Sequence, residues 1–406
     1  MLKNKDIISN SIANIISTIP QFIISVLTSF FINTEFFGKY VYFMAISYLI
    51  SIPINFGYSI IGLIYIQKRY FNILNLYIFF SLIVLLLIFP FFLLVHNGFI
   101  YYFSIFYILL NNFKELINYY YVVNFKLISK IKYNLLDLIF VIIVILIISK
   151  FYKTNPHNLL FLFLGFLFFK IFTIYIFLKE IFNKKNILYY FKKINFKNLK
   201  FVYISSFFNQ LNILFTNIYS QGYFILLGLY LSFEIVSIVK YINLIQTLIS
   251  IIFNSFIQIK TKIIVNYNFL KRDLFRIILI SQTIQVGLSL VSFFILLIIS
   301  KYFNIPQLNT LNNLFLFAML FSYFFAPSKQ ILGLNLVASN SFKSRTIAII
   351  LSVLISLPLL FLVKTNIFFV PIFVISVDIL AVLLFILILK NNIKYEGFNY
   401  SQLVRR

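Results

Sequence analysis

Apolar residues run in blocks of eighteen or more along most of the chain, and short clusters of lysine, asparagine and proline separate the blocks. As a helix rising about 1.5 Å per residue, such a block crosses a hydrocarbon core of about 30 Å. With charges and Pro or Asn clusters as punctuation, the pattern predicts twelve transmembrane spans. They lie near 8–32, 40–66, 73–95, 99–123, 134–152, 157–178, 201–229, 233–259, 274–299, 311–333, 346–363 and 367–390. The first run is too long for a cleavable signal segment and is expected to remain as a helix of the protein.

Basic residues test that count independently, because they concentrate on the cytoplasmic side of membrane proteins. Lys68, Arg69, Lys126, Lys130, Lys132, Lys271, Arg272, Arg276, Lys343, Arg345, Arg405 and Arg406 fall in alternate gaps and at a terminus. The intervening gaps carry only Lys39, Lys150, Lys153, Lys301 and Lys364. The alternation predicts both termini in the cytoplasm and short external loops. Residues 179–200 form the longest polar stretch, KEIFNKKNILYYFKKINFKNLK, between six spans and six spans. The expected organisation is therefore an N-terminal six-helix lobe (1–178), a basic cytoplasmic linker (179–200), a C-terminal six-helix lobe (201–390) and a cytoplasmic tail (391–406). A shift of 199 residues lays Asn10 on Asn209, Ser17 on Thr216, Ser51 on Ser250 and Asn55 on Asn254, which supports two related halves.

Composition sharpens this picture. Hydrophobic residues make up 62% of the chain and charged residues 11%, more apolar surface than a water-soluble fold can bury. The net charge of +25 sits in the gaps between spans, where it suits anionic headgroups, so no nucleic-acid partner is predicted. Cysteine is absent and histidine occurs twice, at His96 and His157. With no metal-spaced cluster, no glycine-rich phosphate loop and no nucleophile motif, no cofactor, metal or catalytic residue is predicted, and the expectation is a transporter rather than an enzyme.

Polar residues inside the spans carry the candidate chemistry, since presenting them to lipid is costly. Span 1 has Asn10, Asn14, Ser17, Gln21, Ser25 and Thr28 on one helical face. Span 2 has Ser47, Ser51, Asn55 and Ser59; span 7 has Ser205, Asn209, Asn212, Thr216 and Ser220; span 8 has Lys240, Asn243, Thr247, Ser250, Asn254 and Gln258. Interhelical hydrogen bonding in a bundle would use such stripes. Their length, and their recurrence on the first two helices of each half, favour a shared hydrated cavity lined by Asn14, Ser17, Gln21, Asn55, Asn209, Asn212, Thr216, Lys240, Asn243, Ser250 and Asn254. Lys240, Lys170 and Lys114 are the candidate contacts for an anionic headgroup, with snorkelling or a structural ion pair as the alternative for Lys114. Asp378, near the middle of span 12, is the first candidate for a group responding to H+ or Na+, and Glu115 the second; a hydrogen-bonded packing role is the alternative for Asp378. Asp137 lies at the start of span 5, where a capping role is expected.

Residues 33–63 contain Gly38 and Tyr40, a Gly-x-Tyr after the first span, followed by Asn55, Phe56 and Gly57. This stretch resembles the signature of Wzx-type polysaccharide and O-antigen flippases, within the multidrug/oligosaccharidyl-lipid/polysaccharide (MOP) exporter superfamily. In the second half the Gly-x-Tyr positions hold Ser237 and Val239. The resemblance implies a MATE-like all-α polytopic membrane fold of two pseudo-symmetric lobes in the bacterial inner membrane, with a cavity lined by helices 1, 2, 7 and 8. It further implies a cargo of oligosaccharide on undecaprenyl pyrophosphate, flipped from cytoplasmic to periplasmic leaflet for surface polysaccharide, including O-antigen of lipopolysaccharide. The partners implied are membrane lipids, H+ or Na+ as coupling ion, and polysaccharide polymerase and chain-length proteins. Two other functions remain open: a cation-coupled drug or metabolite antiporter of the same superfamily, expected to carry a carboxylate cluster in the N-terminal lobe, and a membrane glycan polymerase or ligase, expected to carry a large external loop.

Overall fold

In a computed structural model of the chain, the structure describes residues 24, 27, 33–55, 72–94, 98–123, 127–151, 158–181, 196–266, 272–303, 313–338 and 341–392. Every regular element among these is helical. Span 2 is represented by α1 (Thr34–Asn55), span 3 by α2 (Asn72–Leu93), span 4 by α3 (Gly98–Val123), span 5 by α4 (Leu127–Phe151) and span 6 by α5 (Asn158–Ile181). Spans 7, 8 and 9 are α6 (Phe196–Tyr230), α7 (Phe233–Asn266) and α8 (Arg272–Phe303). Spans 11 and 12 are α11 (Phe342–Phe361), which ends in a 3-10 turn over Leu362–Lys364, and α12 (Phe369–Asn392).

Two boundaries change the chemistry. The fifth span begins at Leu127 rather than near residue 134, which places Asp137 three turns inside α4. The tenth span, expected as one helix over 311–333, is broken into α9 (Asn313–Phe321) and α10 (Ala326–Ala338). Pro327 sets the break, because it has no N–H to give to the carbonyl four residues back. The Phe324 N–H bonds the Phe321 carbonyl, so it is not given to Leu320, its usual partner. The Leu320 carbonyl instead accepts from Gln246 Nε2 at 2.5 Å and from Ser289 Oγ at 3.4 Å. Gln246 Oε1 in turn accepts from Gln285 Nε2 at 2.9 Å. These side chains replace the backbone donor that the break removes, as a buried carbonyl in a membrane requires. Gln246→Leu is therefore expected to destabilise the protein by about 1–3 kcal/mol, read as a lower melting temperature in detergent.

The chain divides into two compact units, Met1–Leu244 and Ile245–Arg406. In the first, α1 packs on α3 and α6, α3 on α2 and α5, and α4 on α5. Aromatic rings fill the centre: Tyr40 stacks on Phe163 at 5.5 Å, and Tyr107 lies 5.6 Å from Phe166. In the second, α12 packs on α10 and α11, and α8 on α9 and α10.

The outward faces invert the usual rule for proteins in water. Leu86, Phe91 and Leu94 are each at least 70% exposed. At about 25 cal/mol per Å² such exposure is costly in water and free in hydrocarbon. Among the described residues seven helices are long and apolar enough to cross a membrane. The chain is a multi-pass membrane protein.

Candidate functional site

Three buried charges of the first unit meet at one point. Lys114 on α3, Asp137 on α4 and Lys170 on α5 meet in the interior with side chains 4–8% exposed. Lys114 Nζ donates to Asp137 Oδ2 at 2.7 Å, while Lys170 Nζ donates to Oδ1 at 2.9 Å and to Oδ2 at 2.7 Å. The Lys170 ammonium also lies 5.7 Å from the centre of the Tyr107 ring. A small cleft beside the cluster is walled by Tyr107, Phe140, Val141, Phe166 and Phe169.

This arrangement corrects the capping role expected of Asp137. A cap must stand at the helix end, where backbone N–H groups lack partners. Asp137 stands ten residues after Leu127, and its oxygens are taken by two ammonium groups from neighbouring helices. For Lys114, the structural ion pair is the observed outcome rather than snorkelling.

The second unit holds its own pair. Asp378 on α12 is fully buried and accepts from Lys329 Nζ in the first turn of α10. One residue before Lys329, Ser328 Oγ accepts from Gln282 Nε2 at 2.7 Å. Lys329 went unnoticed among the intramembrane charges, although it lies inside the expected tenth span; the signal was its position in an apolar block. The buried polar face Ser281, Gln285 and Ser289 on α8 was also missed, and its i, i+4, i+8 spacing would have shown it.

Of the cavity residues, Asn14, Ser17 and Gln21 lie outside the described residues, as do the side chains of Asn55, Asn209 and Asn254 and that of Glu115. On α6, Thr216 is exposed, and Asn212 is half-buried with an Oδ1 that has no hydrogen-bond partner among the described residues. On α7, Lys240 and Asn243 are half-buried, and the Lys240 ammonium sits over the Phe224 ring at 5.3 Å. In the second unit, Ser250 Oγ donates to its own helix, at Thr247 O, 2.7 Å away. The stripe of span 2 has a packing role where it is described. Ser47 hydrogen-bonds Ser104 across α1 and α3, and Ser51 bonds back to Tyr48 O. Tyr40 of the Gly-x-Tyr pair is a core residue, 8% exposed.

No protein-family model matches the chain, and no curated protein matches it. Solved structures do. An inward-facing multidrug resistance MATE family transporter of the MOP superfamily aligns with a TM-score of 0.65 at 12% identity, covering 94% of this chain and 96% of that one. The MATE multidrug transporter DinF-BH, solved as a complex, aligns with a TM-score of 0.57 at 14% identity over 95% of this chain and 94% of that one. At such identities the likeness is one of architecture, and it runs nearly end to end in both chains: this is an all-helical, multi-pass membrane protein with the MATE fold.

Proposed function

We propose that the chain is a carrier that moves an oligosaccharide linked to undecaprenyl pyrophosphate from the cytoplasmic to the periplasmic leaflet by alternating access. The observation that carries this reading is the occupation of the buried carboxylates. Asp137 is bonded by two lysines and Asp378 by one, so each of these buried carboxylates already carries an ammonium partner from the chain itself. Lys240 has no carboxylate within ion-pairing distance among the described residues and rests against an aromatic ring, so its ammonium can receive an anion. A pyrophosphate crossing hydrocarbon needs such a charge, while the amide and hydroxyl groups of α6 and α7 suit sugar hydroxyls. The Gly-x-Tyr and Asn-Phe-Gly stretch supports the same cargo.

The multidrug transporters that share the fold favour a second reading, cation-coupled antiport of a drug or metabolite. Reconstituted vesicles separate the two. On the first reading the full chain translocates a fluorescent oligosaccharide on undecaprenyl pyrophosphate, and Lys240→Gln slows it about tenfold or more, the effect of losing one charge-assisted hydrogen bond. Unchanged translocation in Lys240→Gln, or efflux of cationic dyes with no movement of the lipid-linked sugar, overturns it.

A further inference from the structure

The start of α1 and the α6–α7 corner touch at an approach so close that only glycine fits. A Cβ on Gly38 would stand 1.7 Å from the Phe233 carbonyl oxygen, 2.5 Å from its carbon and 2.9 Å from its Cα. These are backbone atoms, which cannot rotate away. One turn along α1, the Tyr42 ring covers Gly228, where a Cβ would meet it at 2.5 Å. The same ring meets Phe233 edge to face at 5.6 Å. Phe233 also has the Lys39 ammonium 5.7 Å from its centre, and Phe37 lies 5.4 Å from Tyr241. α1 comes from the first half of the sequence and α6 and α7 from the second, yet Met1–Leu244 forms one compact unit. In the expected topology, residues 33–39 and 230–232 both lie outside.

We infer that the Gly38, Tyr42, Gly228 and Phe233 contact is an external latch between the two halves, which parts each time cargo leaves. The inference rests on the alternating-access reading above. Its chemistry suits repeated opening. The contact includes ring on ring, ammonium on ring and glycine on backbone. Parting it strands no buried carboxylate. Lys39 pairs with Glu35 of its own helix, at 2.7 Å, so this ion pair does not cross the latch. The glycines set how tightly the helices close, because a gap of about 0.5–1 Å already forfeits about a quarter to a half of the attraction between packed atoms. The Gly-x-Tyr pair thus divides its work: Tyr40 packs inside the first unit, and Gly38 admits the second half's backbone.

The chain has no cysteine, so two introduced thiols carry the only labels. Spin labels on Glu35→Cys and Leu231→Cys, in the full chain in lipid vesicles without cargo, report the distance across the latch. The parent is expected to give a short distance. Gly38→Leu is expected to depopulate it about tenfold or more, Gly228→Leu less, because the Tyr42 ring can swing aside. Gly287→Leu, at a position with nothing within 4 Å, is expected to leave it unchanged. A short distance retained in both folded latch variants overturns the inference. If those variants fail to fold, oxidation of Tyr42→Cys/Phe233→Cys decides: a disulfide that stops transport and releases it on reduction supports the latch, and one that forms without stopping transport, or never forms, overturns it. Failure of the cargo reading would appear as lipid-linked sugar left untranslocated by the parent, with the label distances still responding to Gly38→Leu.

Discussion

Asp137→Asn is expected to lower the melting temperature in detergent by on the order of 10 °C, corresponding to about 3–5 kcal/mol. The substitution keeps the size of the side chain and removes its charge, leaving two ammonium groups facing each other in the interior of the first unit. Neither can reach water easily, since their side chains are 6% and 4% exposed. Lys114→Met and Lys170→Met should each cost less, because the carboxylate keeps one ammonium partner. The triple variant Lys114→Met/Asp137→Leu/Lys170→Met removes all the charge together and should recover most of the stability lost in Asp137→Asn, as apolar replacements of buried ion clusters do. Melting curves of the four proteins check the order. If Asp137→Asn melts no lower than the lysine variants, the two lysines do not depend on Asp137 for their charge balance. Translocation by the stable triple variant then shows whether the cluster also takes part in transport.

How far the sequence could be read depended on the physical signal behind each feature. Helix type was legible because lipid imposes a length and an apolarity on every span, and α3, α5 and α12 begin and end close to where charges and Pro or Asn clusters placed them. The fifth span was misplaced at its start because Lys130 and Lys132 looked like the end of a loop, yet the helix carries them from Leu127 onward. That shift changed the role of Asp137 from a cap to the centre of a cluster. The broken tenth span was signalled by Pro327, which an apolar block of full length concealed. Polar stripes were visible as periodicities, but periodicity does not say what a face meets. Ser47 and Ser51 face packing, Ser250 bonds back to its own helix, and Lys240 faces a ring. Partners on distant helices, such as Lys329 for Asp378 or Phe233 for Gly38, leave no trace in local pattern.

The pair in the second unit should respond unequally to loss of either member. Asp378 is buried completely, whereas the Lys329 side chain is 24% exposed. Without its partner, the lysine can extend its four-carbon stem and bring the ammonium to polar surroundings. The carboxylate of Asp378 is held on the short side chain of α12 and has no such route. Lys329→Met should therefore destabilise by about 3–5 kcal/mol, since it strands a buried charge, and Asp378→Asn by roughly half as much or less. Adding Asp378→Asn to Lys329→Met should then restore stability, because the stranded charge is gone; a double variant less stable than Lys329→Met alone would mean that the carboxylate was not the costly group. Transport gives the pair a second readout. If Asp378 releases Lys329 and takes up H+ or Na+ during the cycle, Asp378→Asn should keep its fold, lose the response of transport to an imposed ion gradient, and leave downhill movement of cargo intact. A purely structural pair predicts loss of both in proportion to the loss of folded protein.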